Sequence, residues 1–253
     1  VSFATDGAFA QASRSLAGAV YGSGSGKLGQ VVSTYTTGTT ITLSQASDIV
    51  NFEVGMKINF AVAETGGSVI ATKPTISNID RDAGSFVVSD ATSVVANHYI
   101  YRDGDYDLKL KGLEAWLPGS AVTSASYFGV DRSVDKSRLA GIIYDGSTAP
   151  IEEVVISAAA RLAREGGKPT HLFMSYEKFA ELEKSLGSKV QYVDLKAANA
   201  DIGFRGIVIN GPRGPIKVIA DQNCPHNRAY MLQLDTWKLL SRGPAPQILN
   251  MDN

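Results

Sequence analysis

The sequence predicts an α+β protein with a small all-β domain inserted near its N-terminus. Three observations lead there. Apolar residues recur every three to four positions before residue 31 and again from residue 151, the spacing of helical stripes. Residues 32 to 105 are instead rich in Thr and Ser, with alternating Ile41/Leu43 and Ile58/Phe60/Val62 between turn signals. After Asp107, helical and strand patterns follow one another. A chain of 253 residues buries about three quarters of its unfolded surface, enough for one large domain or two modest ones.

Each element has its own signal. Asp6 is read as the N-cap of a first helix carrying Phe9, Ala12, Leu16, Ala19 and Val20 on one face, and the tract Gly22, Gly24, Gly26, Gly29 ends it. Gly38, Gly55, Gly66-Gly67 and Asp82-Ala83-Gly84 break the β-block at about ten-residue spacing, which predicts an antiparallel barrel or sandwich. Ile151, Val154, Val155, Ala158, Ala159, Leu162 and Ala163 form an unbroken helical series, with Pro150 in the first turn and Gly166-Gly167 after the last. A second helix starts at the N-cap Ser175, buries Phe179, Leu182 and Leu186, and stops at Gly187. Ile207-Ile209 and Ile216-Ile219 flank a five-residue hairpin loop, Asn210 to Gly214. Tyr230-Leu234 and Trp237-Leu240 read as further strands.

Composition removes several function classes. The chain has 24 Lys+Arg against 25 Asp+Glu, a net charge of −1 that argues against a dedicated nucleic-acid binder. A single cysteine leaves no internal disulfide framework. Apolar runs fall far short of the ~20 residues of a membrane helix, so a soluble protein is expected. The start at Val1, without an initiator Met or signal peptide, suggests that residues upstream were cleaved or left out.

The motifs that resemble catalytic or binding chemistry each meet an objection. Gly24-Ser-Gly26-Lys-Leu-Gly29 matches a dinucleotide fingerprint, yet it follows a helix and leads into a β-block, the reverse of the order that motif requires. The expected role is a connector. Asp103, Asp105 and Asp107, with Glu114 further on, follow the ligand order of a calcium loop, but Leu108 stands where the turn glycine belongs and Lys109 and Lys111 bring positive charge. Solvated carboxylates are the simpler reading. His98, His171 and His226 share no helical turn with one another or with a cysteine, so no metal site is expected. Cys224 neighbours His226, but in an extended segment the two side chains diverge, which favours a small residue in a turn over a nucleophile. Trp116 and Trp237 are read as packing anchors or interface hot spots. No enzyme activity and no cofactor is expected.

Four segments, taken in order, resemble the major capsid proteins of tailed bacteriophages of the Hong Kong 97 type. Ser13 to Gly29 is similar to the end of that family's spine helix and the glycine-rich stretch after it. Gly112-Leu-Glu-Ala-Trp-Leu-Pro118 resembles a stretch of relatives that carry an inserted β-domain. Gly166 to Leu182 resembles the helix-to-strand-to-helix passage of the family, and Ile216 to Leu232 its return strand.

The resemblance implies a P-domain from residues 1–31, 106–165 and 226–253, an A-domain from 166–225, and an accessory β-domain at 32–105. It also implies a structural subunit that assembles with copies of itself, as hexamers and pentamers, into an icosahedral shell. Scaffolding, portal and decoration proteins would be further partners. Packaged DNA would be enclosed without sequence-specific binding, and no membrane would be involved. The location implied is the virion, after synthesis in the host bacterial cytoplasm. Setting the β-block aside, the remainder is too short for a capsid core with its N-terminal arm and E-loop, so both are expected to be missing. The family's lysine-to-asparagine cross-link does not carry over, since its E-loop lysine is lacking. Pro212 and Arg213 fall where the A-domain approaches the capsomer centre and, with Trp116 and Trp237, are the expected subunit contacts. An encapsulin-like compartment shares the implied fold. A glycan-binding or adhesive β-module, suggested by the Thr-rich residues 34–44, is a second class, and an enzyme using Asp103, Asp105 or Cys224 a third.

Overall fold

A computed structural model describes residues 2–119, 126–186, 192–195 and 204–240. The protein is α+β, and it divides into two compact units. One is Gly22–Trp116; the other combines Val1–Tyr21 with Leu117–Asn253. The first unit is wider at both ends than the β-block read from composition, because the segments that lead into and out of it bond to each other. The amides of Asp107, Lys109 and Gly112 donate to the carbonyls of Ser25, Gly24 and Gly22 at 2.9, 3.2 and 3.0 Å.

The Gly22–Trp116 unit contains six short strands: β1 (Lys27–Gln30), β2 (Thr40–Thr42), β3 (Ile58–Ala61), β4 (Ile76–Asp80), β5 (Ser85–Val88) and β6 (Tyr99–Arg102). They form two antiparallel sheets, ordered β1-β6-β3 and β2-β5-β4. Bridges Val31↔Leu43 and Lys57↔Thr75 join the sheets at both margins. Around the second bridge, Ile58 N–H donates to Pro74 O and Ile76 N–H to Met56 O, each at 3.0 Å. Of the two alternatives, barrel and sandwich, these seams favour a barrel, which leaves few free strand edges. Ile58 and Phe60 point inward with Ile41, Phe52, Phe86 and Ile100, all nearly inaccessible to solvent. The Phe52 and Phe86 rings lie 4.8 Å apart. Burying each such side chain contributes about 1.5–3 kcal/mol. The turn glycines have structural work to do: Gly84 has φ +61°, and a Cβ there would lie 2.6 Å from Ala46 Cα. A short helix α2 (Leu113–Trp116) closes the unit.

In the other unit, α1 (Ser2–Tyr21) begins before Asp6, so Asp6 lies inside the helix and is no N-cap. Of the expected stripe, Phe9, Leu16, Ala19 and Val20 are half-buried and Ala12 is exposed; Tyr21, at the end, is buried. A hairpin that sequence did not suggest pairs β7 (Ser126–Tyr127) with β8 (Val130–Asp131). Phe128 and Gly129 between them both have positive φ, 50° and 83°, as a two-residue hairpin turn of the primed type demands. Helix α3 (Lys136–Leu139) is capped by Asp135, whose side chain accepts from Arg138 N–H.

Helix α4 (Ile151–Arg164) has Pro150 at the N-cap, one position before the first turn. Glu152 and Glu153 open it and Arg161 and Arg164 close it, each charge complementing the nearer end of the helix dipole. Its end is a Schellman motif, with Gly166 at φ +93° and the Gly167 and Gly166 amides donating to Leu162 O and Ala163 O. Helix α5 (Tyr176–Leu186) starts at Ser175, whose hydroxyl accepts from Lys178 N–H, and buries Leu182 fully. The expected stop at Gly187 lies outside the described residues.

Five strands form one mixed sheet in this unit: β9 (His171–Met174), β10 (Tyr192–Leu195), β11 (Phe204–Gly211), β12 (Gly214–Ala220) and β13 (Ala229–Leu232), ordered β10-β11-β12-β9-β13. Only β12 and β9 run parallel. Val155, Ala159 and Leu182 pack from α4 and α5 against Leu172, Ile207 and Val218 of the sheet. The β11–β12 turn is tighter than the expected five-residue loop. Asn210 pairs with Pro215 and Gly211 with Gly214, leaving Pro212 and Arg213 as the only unpaired positions of the turn. Trp237-Leu240 is not a strand: a 3-10 turn at Leu234–Thr236 breaks the backbone direction, and Leu239 and Leu240 stand 65% and 86% exposed.

Candidate functional site

The carboxylates of the calcium-loop pattern face different partners. Asp103 Oδ1 meets Lys73 Nζ at 2.8 Å and accepts from Asn59 Nδ2 at 3.0 Å. Asp105 pairs with Lys109 at 2.9 Å, and Asp107 accepts from the Gly66 amide at 2.8 Å. The hydrogen bond from Lys73 is the main reason that the Asp103 carboxyl lies below the usual carboxylate range. Among the described residues no three His, Cys, Asp or Glu side chains converge in a way that could hold a metal ion. The geometry is that of loop pinning: these carboxylates fix backbone amides and lysines of the barrel.

Cys224 and His226 also part company. Cys224 is buried, its thiol 3.6 Å from Arg228 O, and burial, with the Asp221 charge adding to it, pushes the thiol up to about 12. A thiol held protonated in this way is a poor nucleophile. His226 Nδ1 lies 3.3 Å from Glu177 Oε2 at the start of α5. His98 is buried in the barrel, where its Nδ1 accepts from Val95 N–H at 3.2 Å and desolvation lowers its pKa. His171 is shifted the same way, by desolvation and then by Lys217.

The glycine tract takes the connector role. Gly24 and Gly26 have φ +93° and +79°, and a Cβ on Gly26 would lie 2.4 Å from Asp105 O. The tract therefore lets two backbone segments run in contact.

Of the expected contact residues, Trp116 is 46% exposed on α2, Trp237 is half-buried, and Pro212 and Arg213 are exposed at the β11–β12 turn. Arg213 Nη1 donates to Gly166 O at 2.8 Å, which holds the turn near the end of α4. Sequence reasoning missed a second set of exposed apolar side chains, Phe128 at 70%, Val130 at 48% and Val134 at 81%, on and after the β7–β8 hairpin. The only available signal was the apolar content of a Gly-containing turn. Arg132 beneath it is buried and lies 4.2 Å from the Tyr127 ring. A shallow, open depression along α4 is lined by Ser157, Ala160, Arg161 and Arg164, and Arg161 is committed to Ile143 O. No described helix is long and apolar enough to cross a membrane.

No protein-family model, no curated protein and no solved structure matches the chain.

Proposed function

We propose that the protein is a structural shell subunit, a major capsid protein of the Hong Kong 97 type that self-assembles around a phage genome. The observation that carries this reading is the ordered series of resembling segments, Ser13–Gly29, Gly112–Pro118, Gly166–Leu182 and Ile216–Leu232. The arrangement of polar groups supports it: Asp103, Asp105, Cys224 and His226 are engaged in local ion pairs and hydrogen bonds, while Phe128, Val134, Leu239 and Leu240 present apolar surface to solvent. Exposed apolar surface of that kind suits association. A shell made of many copies needs self-complementary faces, and a net charge of −1 per subunit limits repulsion between them.

Negative-stain microscopy and sedimentation of the purified chain test the reading. Uniform closed shells support it, and nucleic acid within shells purified from the producing cells identifies a phage head. Protein cargo in place of nucleic acid supports an encapsulin-like compartment. Monomers that stay small at high concentration overturn both.

A further inference from the structure

Strand β3 is flanked on one side by β6, with Ile58 opposite Arg102, and on the other by the segment before β4, through the bridge Lys57↔Thr75. Asn59 itself lies opposite Tyr101, with Asp103 two residues further along, just past the end of β6, and its amide donating to Lys57 O; on the other side, two residues past the bridge bring Lys73 level with Asn59. Asn59 alternates with the core residues Ile58 and Phe60, so it points away from the barrel interior. It is nonetheless only 4% exposed. Its amide nitrogen and the Lys73 ammonium share a single acceptor, Asp103 Oδ1, at 3.0 and 2.8 Å. Its carbonyl oxygen is buried and has no hydrogen-bond partner among the described residues. Among the described residues, the other lysine–carboxylate pairs, Lys27–Glu64, Lys109–Asp105 and Lys178–Glu181, show no carboxamide sharing the acid. A lysine, a buried carboxamide and a carboxylate that touches both nitrogens are the components of amide transfer.

We propose that Lys73 and Asn59 become joined by an intrachain isopeptide bond, with Asp103 as the proton carrier. Asp103 takes a proton from the Lys73 ammonium, and the freed amine attacks Asn59 Cγ. The Nζ–Cγ bond forms. Asp103 then returns the proton to Nδ2, the Cγ–Nδ2 bond breaks, and ammonia leaves toward the solvent that reaches Lys73; the second Nζ proton passes through Asp103 to that ammonia, so the products are a neutral amide and ammonium. Nothing is oxidised or reduced, and no co-reactant is needed. Because lysine amines are almost wholly protonated near neutrality, the bond accumulates slowly and forms faster at about pH 9. The product ties β3 to the segment leading into β4 across one of the two seams of the barrel, where few ladder hydrogen bonds hold the sheets together.

The test is peptide mapping by mass spectrometry of the whole protein, before and after prolonged incubation at about pH 9. The expected result is a branched peptide that joins the Asn59 and Lys73 segments and is lighter than their sum by one ammonia. It should be absent from Lys73→Arg, which keeps the ion pair, and reduced at least tenfold in Asp103→Ala. Recovery of both residues only in linear, unmodified peptides overturns the proposal. So does ammonia loss that maps solely to Asn210-Gly211, where backbone cyclisation is the alternative source. Equal cross-linking in Asp103→Ala removes Asp103 from the mechanism as stated.

Discussion

The Tyr21 hydroxyl donates a 2.8 Å hydrogen bond to Asp221 Oδ2, linking the last residue of α1 to the turn after β12 across 200 positions of sequence. Burial first, and the Asp221 contact second, raise the Tyr21 pKa, so the phenol remains a donor throughout the physiological range. Asp221 also accepts from Asn223 N–H, which shapes the turn leading to Cys224. Tyr21→Phe keeps the ring beside Tyr230 and removes only the donor. It should lower stability by about 1.5–3 kcal/mol, the range for a hydrogen bond to a charged acceptor. Urea unfolding measures this, and an unchanged midpoint would show that the bond contributes nothing net.

Gly26 and Gly104 make a matched pair for separating backbone strain from collision. Both have positive φ, +79° and +87°, but a Cβ on Gly26 would meet Asp105 O at 2.4 Å, whereas Gly104 has open space around it. Gly104→Ala should cost about 1–2 kcal/mol, the left-handed penalty alone. Gly26→Ala should cost about 2–4 kcal/mol because the paired connectors must also separate. Equal losses in the two variants, read from thermal melts, would mean that the contact between the connectors relaxes freely.

What was readable in the sequence follows the range of the interactions involved. Helix α4 announced itself through a local pattern, the spacing of Val155 and Ala159 and the glycines of its Schellman end, all within one stretch of chain. The barrel turns were legible for the same reason, since a positive φ is written as glycine at Gly55 and Gly84. The strand expected at Trp237 failed because β-rich composition does not reveal a 3-10 turn immediately before it. The Asn59–Asp103–Lys73 cluster could not be read at all. It exists only once β3 has its register with β6 and with the segment before β4, and a shift of one residue would put Asn59 on the other face.

His98 makes the barrel acid-sensitive. Its pKa is lowered by burial, and its unprotonated Nδ1 accepts the Val95 amide. A histidine depressed in the folded state is bound by more protons when unfolded, so stability is fully present above the unfolded value of about 6.5 and declines as pH falls below it. His171 is shifted in the same direction, so the whole chain carries the sum of both. The His98→Gln variant isolates the barrel's share. Its denaturation midpoint should fall less between about pH 7 and 5 than that of the natural chain, and parallel curves would exclude His98 as a source.

Arg213 connects the shell reading to one side chain. It stands exposed at the tip of the β11–β12 turn, where Nη1 donates to Gly166 O. Losing an exposed hydrogen bond of this kind costs at most about 1 kcal/mol, so Arg213→Glu should leave the melting temperature of the isolated subunit almost unchanged. If the turn meets its symmetry copies around a capsomer axis, however, each substitution places a carboxylate beside its equivalents, and the repulsion is repeated around the ring. The expected outcome is a folded subunit, verified by circular dichroism, with a sharply reduced yield of closed particles in sedimentation. Arg213→Lys, which keeps the charge, should restore most of that yield. Normal assembly of Arg213→Glu would remove this turn from the interface.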